Sequence, residues 1–325
     1  MCQRDRRSDV LTKIHDVRGI YRSIMQAVNM AVDGDTIQIV SGTYEENVVI
    51  DRNVFVKAVA GEEVIVRGQN LATIHFTGMS GKIQDLTLEH DGGDPTLRGQ
   101  SGVRCIEVHE GDFEMVNCTV SSKIGSGIML LDGCYVAARK SRIIDNGRCG
   151  IIAFEESRLF CEDSLINDNG LNGMDLQTGS NATSSRSRIE KNGQTGVLVS
   201  DCDTIATLMD CNVSSNSRRG ITAQHHGTFV LRNCTIKDNR DCGILVLGDV
   251  QPCCCILDKC TISSNEKVEE SQSVTIHGSV PDMSSCNIQG QILLLHTPIV
   301  RPSPMANARH FAGLFLHVTK STFFR

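Results

Sequence analysis

Residues 141–174 read SRIIDNGRCGIIAFEESRLFCEDSLINDNGLNGM, and one short pattern occurs twice within them. Ser141 is followed by Ile143 and Asn146, and the same order begins again at Ser164, 23 positions later. A unit of this length is too short to bury an apolar face alone, so repeated units bury it by stacking on one another. A period in the twenties therefore predicts a solenoid.

Three columns of residues hold this register far beyond the first stretch. Glycine precedes an aliphatic residue at positions 23 to 25 residues apart: Gly102, Gly127, Gly150, Gly173, Gly196, Gly220 and Gly243. Cysteine or serine stands two positions before an aliphatic residue at Cys118, Ser141, Ser164, Ser187, Cys211, Cys234, Cys260 and Cys286. Asparagine recurs at Asn146, Asn169, Asn192, Asn216, Asn239 and Asn265. The columns indicate one continuous stack.

Each unit consists of short segments with period-2 alternation, which is typical of strands. Ile128 and Leu130, for example, point to one side and their neighbours to the other. Strands stacked about 4.8 Å apart pair in parallel and align like residues. Asparagine suits a turn, where it tolerates left-handed backbone and bonds along the stack. Leucine-rich repeats share the period but need a helical return, so the prediction is an all-β, single-stranded, right-handed parallel β-helix with coils of about 23 residues.

The ends of the chain depart from the repeat. Apolar residues at helical spacing predict an amphipathic α-helix that caps the first coil: Ile20, Ile24, Ala27, Val28 and Ala31. A cap is needed because an open terminal coil recruits other strands. Prolines and a lost register follow residue 290. We therefore predict an N-terminal extension at 1–19, the capped β-helix at 20–290, and an irregular tail or cap at 291–325.

Composition and charge narrow the classes of partner and compartment. The net charge is −6 without a basic stripe, which argues against nucleic-acid binding. No apolar run approaches the length of a membrane span, and the charged N-terminus leads into no secretion signal. The cysteine count, 15, is odd, so we interpret the cysteines as reduced thiols. A cytoplasmic protein that contacts neither membrane nor nucleic acid is expected, and its oligomeric state is not predicted.

Residues 20–290 resemble the pectate-lyase-like right-handed parallel β-helix superfamily. The resemblance lies in the helix followed by Gly34-Asp35-Thr36-Ile37 and Gly42-Thr43-Tyr44-Glu45. Units such as Arg148-Cys149-Gly150-Ile151 are most similar in character to the β-helices of F-box-only ubiquitin-ligase subunits and SHC-binding, spindle-associated proteins. This second resemblance implies recognition of a protein partner, with ubiquitin-ligase substrate recognition as its specific form. No F-box segment is recognisable before residue 20.

The resemblance also raises an enzymatic alternative. Polysaccharide lyases and epimerases of the superfamily place acids, a basic residue and often Ca²⁺ on the outer face of one sheet, because proton abstraction beside a uronate requires a neutralised carboxylate. Along the Gly-aliphatic strands from Met129 onward, the outward positions contain one acid, Asp175. Asp132, Glu155 and Asp201 follow at the turn. These four acids form the alternative carbohydrate or Ca²⁺ site, and a solvated corner is the competing interpretation of the turn acids.

The outward positions that precede Asp175 are apolar. Met129, Leu131, Ile152 and Phe154 would form a contiguous surface, here called the apolar patch. Exposed surfaces of this kind usually mark contacts. The apolar patch is therefore the candidate partner-binding site, unless the 91–112 loop or the C-terminal tail covers it or the assignment of faces is wrong.

No metal site or cofactor is predicted from the sequence. His225 and His226 are adjacent, so in a strand they point to opposite faces. The cysteines at 253–255 and 260 lack a C-x-x-C pair and continue the inward columns. The resulting prediction is a non-enzymatic protein-binding scaffold or adaptor, with a polysaccharide-acting lyase, epimerase or hydrolase as the alternative.

Overall fold

The computed structural model describes residues 13–92, 103–247, 255–265, 272–277, 282–289, 291–295 and 316–318. Within these residues the chain forms three long sheets whose strands follow one another in the order A, B, C around each coil. Neighbouring coils pair in parallel and in register, as in the pairing of Ile143 with Ile166. The predicted all-β parallel β-helix with coils of about 23 residues is confirmed.

The strands of the three sheets are short and evenly spaced along the chain. Sheet A contains Ile14–Val17, Thr36–Ile39, Phe55–Ala58, Ser80–Gln84, Asp112–Val116, Tyr135–Arg139, Arg158–Glu162, Asn181–Ser185, Ile205–Met209, Thr228–Arg232 and Cys255–Asp258. Sheet B contains Gly42–Glu45, Val64–Gly68, Thr87–His90, Thr119–Ser122, Arg142–Ile144, Leu165–Asn167, Arg188–Glu190, Asn212–Ser214, Thr235–Lys237, Thr261–Ser263 and Asn287–Ile288. Sheet C contains Val48–Ile50, Ile74–Phe76, Arg104–Val108, Ser126–Leu130, Ile151–Ala153, Met174–Leu176, Val197–Ser200, Arg219–Gln224, Cys242–Leu247, Gln272–His277, Gln291–Leu295 and the antiparallel Leu316–Val318.

The interior is a dry column of aliphatic side chains contributed by every coil. In sheet B the inward residues Ile143, Ile166 and Ile189 have no solvent exposure. Each lies against its counterpart in the next coil because the parallel register is kept. Burial of such side chains from water is the main stabilising term for the stack.

The asparagine column forms a buried ladder at the turn between sheets B and C. Asn192 Nδ2 donates to Asn216 Oδ1 at 2.9 Å, and the backbone N–H of Asn192 donates to the same oxygen at 3.1 Å. Asn192 Oδ1 in turn accepts from Asn169 Nδ2 at 2.8 Å. An amide side chain both donates and accepts, so one residue type satisfies buried groups in both neighbouring coils.

The glycine column is required by the same ladder. A Cβ atom at Gly150 would lie 2.7 Å from the carbonyl oxygen of Gly173 and 2.8 Å from Asn169 Nδ2. Both distances are too short for a carbon atom, so a larger residue would push the coils apart. The glycine therefore permits the asparagine to approach the neighbouring backbone.

The N-terminal helix comprises Ile24–Met30 and begins later than the apolar spacing predicted. The Ser23 hydroxyl accepts from the backbone N–H of Gln26, which fixes Ser23 as the N-cap residue. Ile20 lies before this cap and is largely exposed, whereas Ile24 and Val28 are buried. A strand, Ile14–Val17, also precedes the helix, within the predicted extension 1–19.

A buried histidine and aspartate hold that first strand to the stack. Asp35 Oδ2 lies 2.8 Å from His15 Nε2 and accepts from the backbone N–H of Val32, and Asp35 Oδ1 accepts from the backbone N–H of Lys13. Burial alone would raise the pKa of the Asp35 carboxyl, but the hydrogen bonds from Val32, His15 and Lys13 hold this pKa below its ordinary value.

We expect Asp35→Asn to lower the free energy of unfolding by roughly 2–4 kcal/mol at pH 7, because buried donors lose a charged acceptor. A carboxyl with a depressed folded-state pKa stabilises the protein fully above its unfolded pKa of about 3.9 and loses that contribution as pH falls through the folded value. Urea unfolding should therefore show a difference in the free energy of unfolding between the wild type and the variant. This difference should be constant from pH 7 to about 5 and should disappear below about 4. A difference that persists at low pH would contradict this account.

At the C-terminal end, the strands Gln291–Leu295 and Leu316–Val318 fall inside the predicted irregular tail 291–325. Most of that tail, including its prolines, lies outside the described residues. Among the residues that the structure does describe, no helix has the length and apolar character needed to cross a membrane.

Candidate active site

The outer face of sheet C holds most of the residues singled out from the sequence. One row of outward residues runs Glu107, Met129, Ile152, Asp175 and Leu198, each paired in register with the next. Their strand neighbours, such as Ile128 and Ile151, point inward and have no exposure. The predicted assignment of faces thus agrees with the structure.

The apolar patch is less exposed than the sequence suggested. Met129 and Ile152 each expose 7% of their surface and form a cluster of their own with Cys149, separate from the main interior. Leu131, Phe154 and Leu171 pack partly buried against that cluster. The turn residues Cys149 and Leu171 thus contribute to covering the patch, while the 93–102 part of the loop proposed as a cover lies outside the described residues.

Two of the three turn acids of the alternative site accept hydrogen bonds from the backbone of the preceding coil. Asp132, Glu155 and Asp201 all have φ in the left-handed region, at 53°, 55° and 77°. The backbone N–H of Asp132 donates to Glu155 Oε2 at 3.2 Å, and that of Thr178 donates to Asp201 Oδ2 at 3.2 Å. The backbone N–H of Glu155 donates to Thr178 Oγ1 at 2.8 Å, so the three acids and Thr178 form a ladder along the corner, one residue for each coil.

Asp175 lies away from this ladder, on the sheet itself. Its carboxylate accepts from Asn172 Nδ2 at 3.1 Å and from Gln177 Nε2 at 2.8 Å. Within the described part of the chain, the four predicted acids do not form a group whose ligand atoms could share one metal ion. The structure therefore does not assemble the Ca²⁺ site considered from the sequence.

A different ionisable group lies on the same face, one coil before the apolar patch. His75, Glu107 and His109, here called the His-Glu-His cluster, come from two neighbouring coils of sheet C and from the turn after the second. His109 Nε2 lies 2.9 Å from Glu107 Oε1, and His75 Nδ1 lies 3.3 Å from Glu107 Oε2. The Arg104 guanidinium also donates to Glu107 Oε1. On its other side, His109 Nδ1 lies 2.7 Å from Asp132 Oδ2.

Burial and hydrogen bonding shift the pKa values of two members of this group in opposite directions. Glu107 is only 7% exposed, and burial would raise its pKa, but hydrogen bonds from Arg104 and His109 hold the pKa below its ordinary value. Burial would lower the pKa of His109, yet hydrogen bonds to Asp132 and Glu107 keep the pKa above its ordinary value. Perturbed acids and bases gathered in one place are typical of functional sites.

The cluster opens into a cleft of about 360 Å³ lined by His75, Thr77, His109, Glu110 and Asp132. A larger cleft of about 550 Å³ lies over the outer face of sheet A, and its two basic residues are paired with a glutamate. There Glu114 Oε2 lies 3.1 Å from Lys82 Nζ and Glu114 Oε1 accepts from Arg139. The smaller cleft is lined by the two histidines that contact the buried Glu107 carboxylate.

The His-Glu-His cluster was not among the predicted site residues, because outward positions were assigned only from Met129 onward. Glu107 and His109 are two positions apart, so period-2 alternation places both on one face. His75 precedes Glu107 by 32 residues, because the coil between them is longer than the repeat, and its counterpart is hard to identify from spacing. Period-2 alternation was therefore the sequence signal from which the pairing of Glu107 with His109 could have been predicted.

The histidine pair lies in a turn, and the described members of the cysteine group lie in the interior. His225 and His226 occupy a turn with φ of 49° and 73°, and His225 is largely exposed, 4.0 Å from Asp201. Cys255 and Cys260 are buried in the main interior, as the inward columns predicted. Residues 253 and 254 lie outside the described residues.

Solved structures similar to this chain include two polysaccharide lyases and an epimerase. Pectate lyase Pel9A is 13% identical, with 91% of this chain and 82% of that chain covered and a TM-score of 0.60. An alginate lyase from Paenibacillus sp. str. FPU-7 is 12% identical, covering 86% and 99%, with a TM-score of 0.55. The A-module of mannuronan C-5 epimerase AlgE4 from Azotobacter vinelandii is 15% identical, covering 84% and 82%, with a TM-score of 0.52. These identities show a shared fold.

The predicted function is corrected by this comparison. A non-enzymatic protein-binding adaptor, with substrate recognition for a ubiquitin ligase as its specific form, is wrong, because the similar structures named above are lyases and an epimerase. The expectation that the chain is not an enzyme is contradicted by the same finding. In physical terms, the apolar patch that motivated the adaptor is largely buried within its own cluster.

The family assignment rests on sequence as well as shape. No curated protein matches the chain. The family described as right handed beta helix region matches residues 72–208 and 195–290, which together span more than half of the chain. The match covers the coils that carry the glycine, serine and asparagine columns, and it agrees with the predicted pectate-lyase-like superfamily. This chain therefore belongs to the right-handed β-helix family.

Proposed function

We propose that this protein acts on a uronate-containing polysaccharide at the cleft beside the His-Glu-His cluster. The observation that carries the proposal is an open cleft on the outer face of sheet C that is lined by two imidazoles, both of which contact a buried carboxylate that is also bound by a guanidinium. Names of the similar structures add support, since they refer to pectate, alginate and mannuronan.

The chemistry of a uronate explains why these groups belong together. Transfer of the C5 proton to a basic side chain of the cleft leaves negative charge on the sugar, and the neighbouring carboxylate must absorb that charge, so positive charge beside that carboxylate lowers the barrier. Elimination follows when the electron pair forms the C4–C5 double bond, the bond from C4 to the glycosidic oxygen breaks, and that oxygen takes a proton. Epimerisation follows when a proton returns to C5 from the opposite face.

The cleft and the side chains beside it include the residue types that both outcomes need. Arg104 provides a permanent positive charge, and Glu107 holds its guanidinium beside the cleft. Glu110 and Asp132 line the opening and are the carboxylates nearest to bulk solvent. The repeating coils extend the outer face in both directions, which suits a linear polymer.

The test is an activity screen on polygalacturonate, alginate and polymannuronate. Elimination is followed by ultraviolet absorbance of the unsaturated uronate, and epimerisation by deuterium entering C5 from heavy water. We expect turnover of one polymer, and a loss of about a hundredfold or more in the Arg104→Gln variant. Each assay is run without added metal, with Ca²⁺ and with Zn²⁺.

Glu114→Gln is the matched control, because Glu114 pairs with Lys82 and Arg139 on the outer face of sheet A. Its activity should equal that of the wild type. Activity lost equally in both variants, or no turnover and no deuterium incorporation with any polymer, would overturn the proposed function.

A further inference from the structure

We propose that His75, Glu107 and His109 form a binding site for a divalent transition-metal ion such as Zn²⁺, with an open position for a uronate carboxylate. Only the identity of this last ligand rests on the proposed function. Binding of the metal itself concerns the protein alone, so it is measured without polysaccharide.

The three side chains already have the spacing of metal ligands. Each of the three residues offers one ligand atom that lies within 4.8 Å of the other two. These atoms are a ring nitrogen of His75, a carboxylate oxygen of Glu107 and a ring nitrogen of His109. Atoms that bind one tetrahedral ion at 2.0–2.1 Å are roughly 3.3 Å apart. The two histidines approach different oxygens of the Glu107 carboxylate, at 3.3 Å from His75 Nδ1 to Oε2 and 2.9 Å from His109 Nε2 to Oε1, and both separations are close to that value.

His109 is oriented in the way that metal-binding histidines usually are. Its Nδ1 lies 2.7 Å from Asp132 Oδ2, so the Asp132 carboxylate accepts a hydrogen bond from Nδ1–H. The other ring nitrogen, Nε2, is then directed at Glu107. In a neutral ring that Nε2 is an acceptor, and it then faces a carboxylate oxygen, which is also an acceptor. A cation must lie between them, either a proton or a metal ion. A carboxylate behind a ligating histidine fixes the ring and strengthens it as a ligand.

The ligand types select the class of ion. Two imidazoles and one carboxylate are a common set for catalytic zinc and, with open positions, for ferrous iron. Ca²⁺ prefers six to eight oxygen ligands and is disfavoured by two nitrogens. The ion expected here therefore differs from the Ca²⁺ that was considered for the turn acids.

Arg104 is the competitor for this site. Its guanidinium donates to Glu107 Oε1, one of the atoms that the metal requires, and its charge repels a cation. We therefore expect Arg104→Gln to bind Zn²⁺ more tightly than the wild type. This opposite sign separates a metal site from a general loss of structure, which would only weaken binding.

The experiment is a calorimetric titration of the full chain with Zn²⁺, repeated with Co²⁺ under absorbance. We expect one site for each chain and a visible Co²⁺ spectrum without the thiolate charge-transfer band that cysteine ligation would add. His75→Ala and His109→Ala should abolish the site, and Asp132→Asn should weaken it about tenfold to a hundredfold. His225→Ala is the matched control, because His225 is an exposed turn histidine outside the cluster, and it should bind as the wild type does.

Three results would overturn the metal site. They are no stoichiometric binding by the wild type, equal affinity in His109→Ala and His225→Ala, and a Co²⁺ spectrum dominated by thiolate. Circular dichroism of each variant shows whether the coils are intact. Galacturonate added to the Co²⁺ protein should change the visible spectrum. An unchanged spectrum with metal bound would overturn the proposal that a uronate carboxylate is the fourth ligand. An active enzyme that binds no Zn²⁺ would reject this inference and leave the proposed function standing.

Discussion

Replacing Ile166 with aspartate is expected to prevent folding of the central coils. Ile166 has no solvent exposure and lies between Ile143 and Ile189 in the sheet B interior. None of these aliphatic neighbours offers a partner for a carboxylate, so the charge must be buried unpaired or neutralised. The expected loss is about 5 kcal/mol or more, comparable with the whole stability of many domains.

Leu165→Asp is the matched control, because Leu165 is the preceding residue of the same strand and points outward. It pairs in register with Arg142 and Arg188, so a carboxylate there gains two cationic neighbours. Far-ultraviolet circular dichroism and size-exclusion chromatography should show a folded Leu165→Asp protein and an unfolded or aggregated Ile166→Asp protein. Equal urea midpoints for the two variants would contradict the predicted interior.

Replacing Asn192 with alanine is expected to give the second largest loss, about 3–5 kcal/mol. The change removes the bond from Asn192 Nδ2 to Asn216 Oδ1 and the oxygen that accepts from both the backbone N–H and Nδ2 of Asn169. Because the backbone N–H of Asn169 is buried, it would be left without an acceptor or would need to admit water.

The effect should be local as well as large, since each coil in a stack contacts only its neighbours. Hydrogen exchange with mass spectrometry should show faster exchange at the turns containing Asn169 and Asn216. Asn181→Ala is the control, because Asn181 is an exposed residue at the start of a sheet A strand. Uniform loss of protection along the chain, or the same urea midpoint for both variants, would argue against a ladder that acts coil by coil.

The fold was predictable because like residues occupy like positions in every coil. Each column of like residues marks one corner or one strand of the coil: the glycines, the serines or cysteines, and the asparagines. Because the coils stack in parallel, residues one period apart in sequence become neighbours in space. The bounds of the helix were less accurate. Ile20 fits the helical spacing, but the Ser23 hydroxyl caps the backbone N–H of Gln26 and starts the helix at Ile24.

The candidate site was harder to predict because it lies where the repeat is irregular. His75 and Glu107 are adjacent across sheet C although 32 residues separate them, since an insertion lengthens that coil. The turn acids misled the search for the opposite reason. Asp132 and Glu155 keep the 23-residue register, but the Glu155 carboxylate accepts from the backbone N–H of Asp132, whereas the Asp132 carboxylate contacts His109.

The sequence by itself determined the architecture of this protein, its coil length and the residues that face its interior, because a periodic pattern has few ways to bury its apolar columns. Only the tertiary structure decided which polar side chains meet. Contacts across coils depend on how an irregular loop restores the register, and the charge state of Glu107 and His109 depends on burial and on neighbours distant in sequence. The meeting of Arg104, Glu107 and His75 is therefore a property of the stacked chain rather than of any single unit.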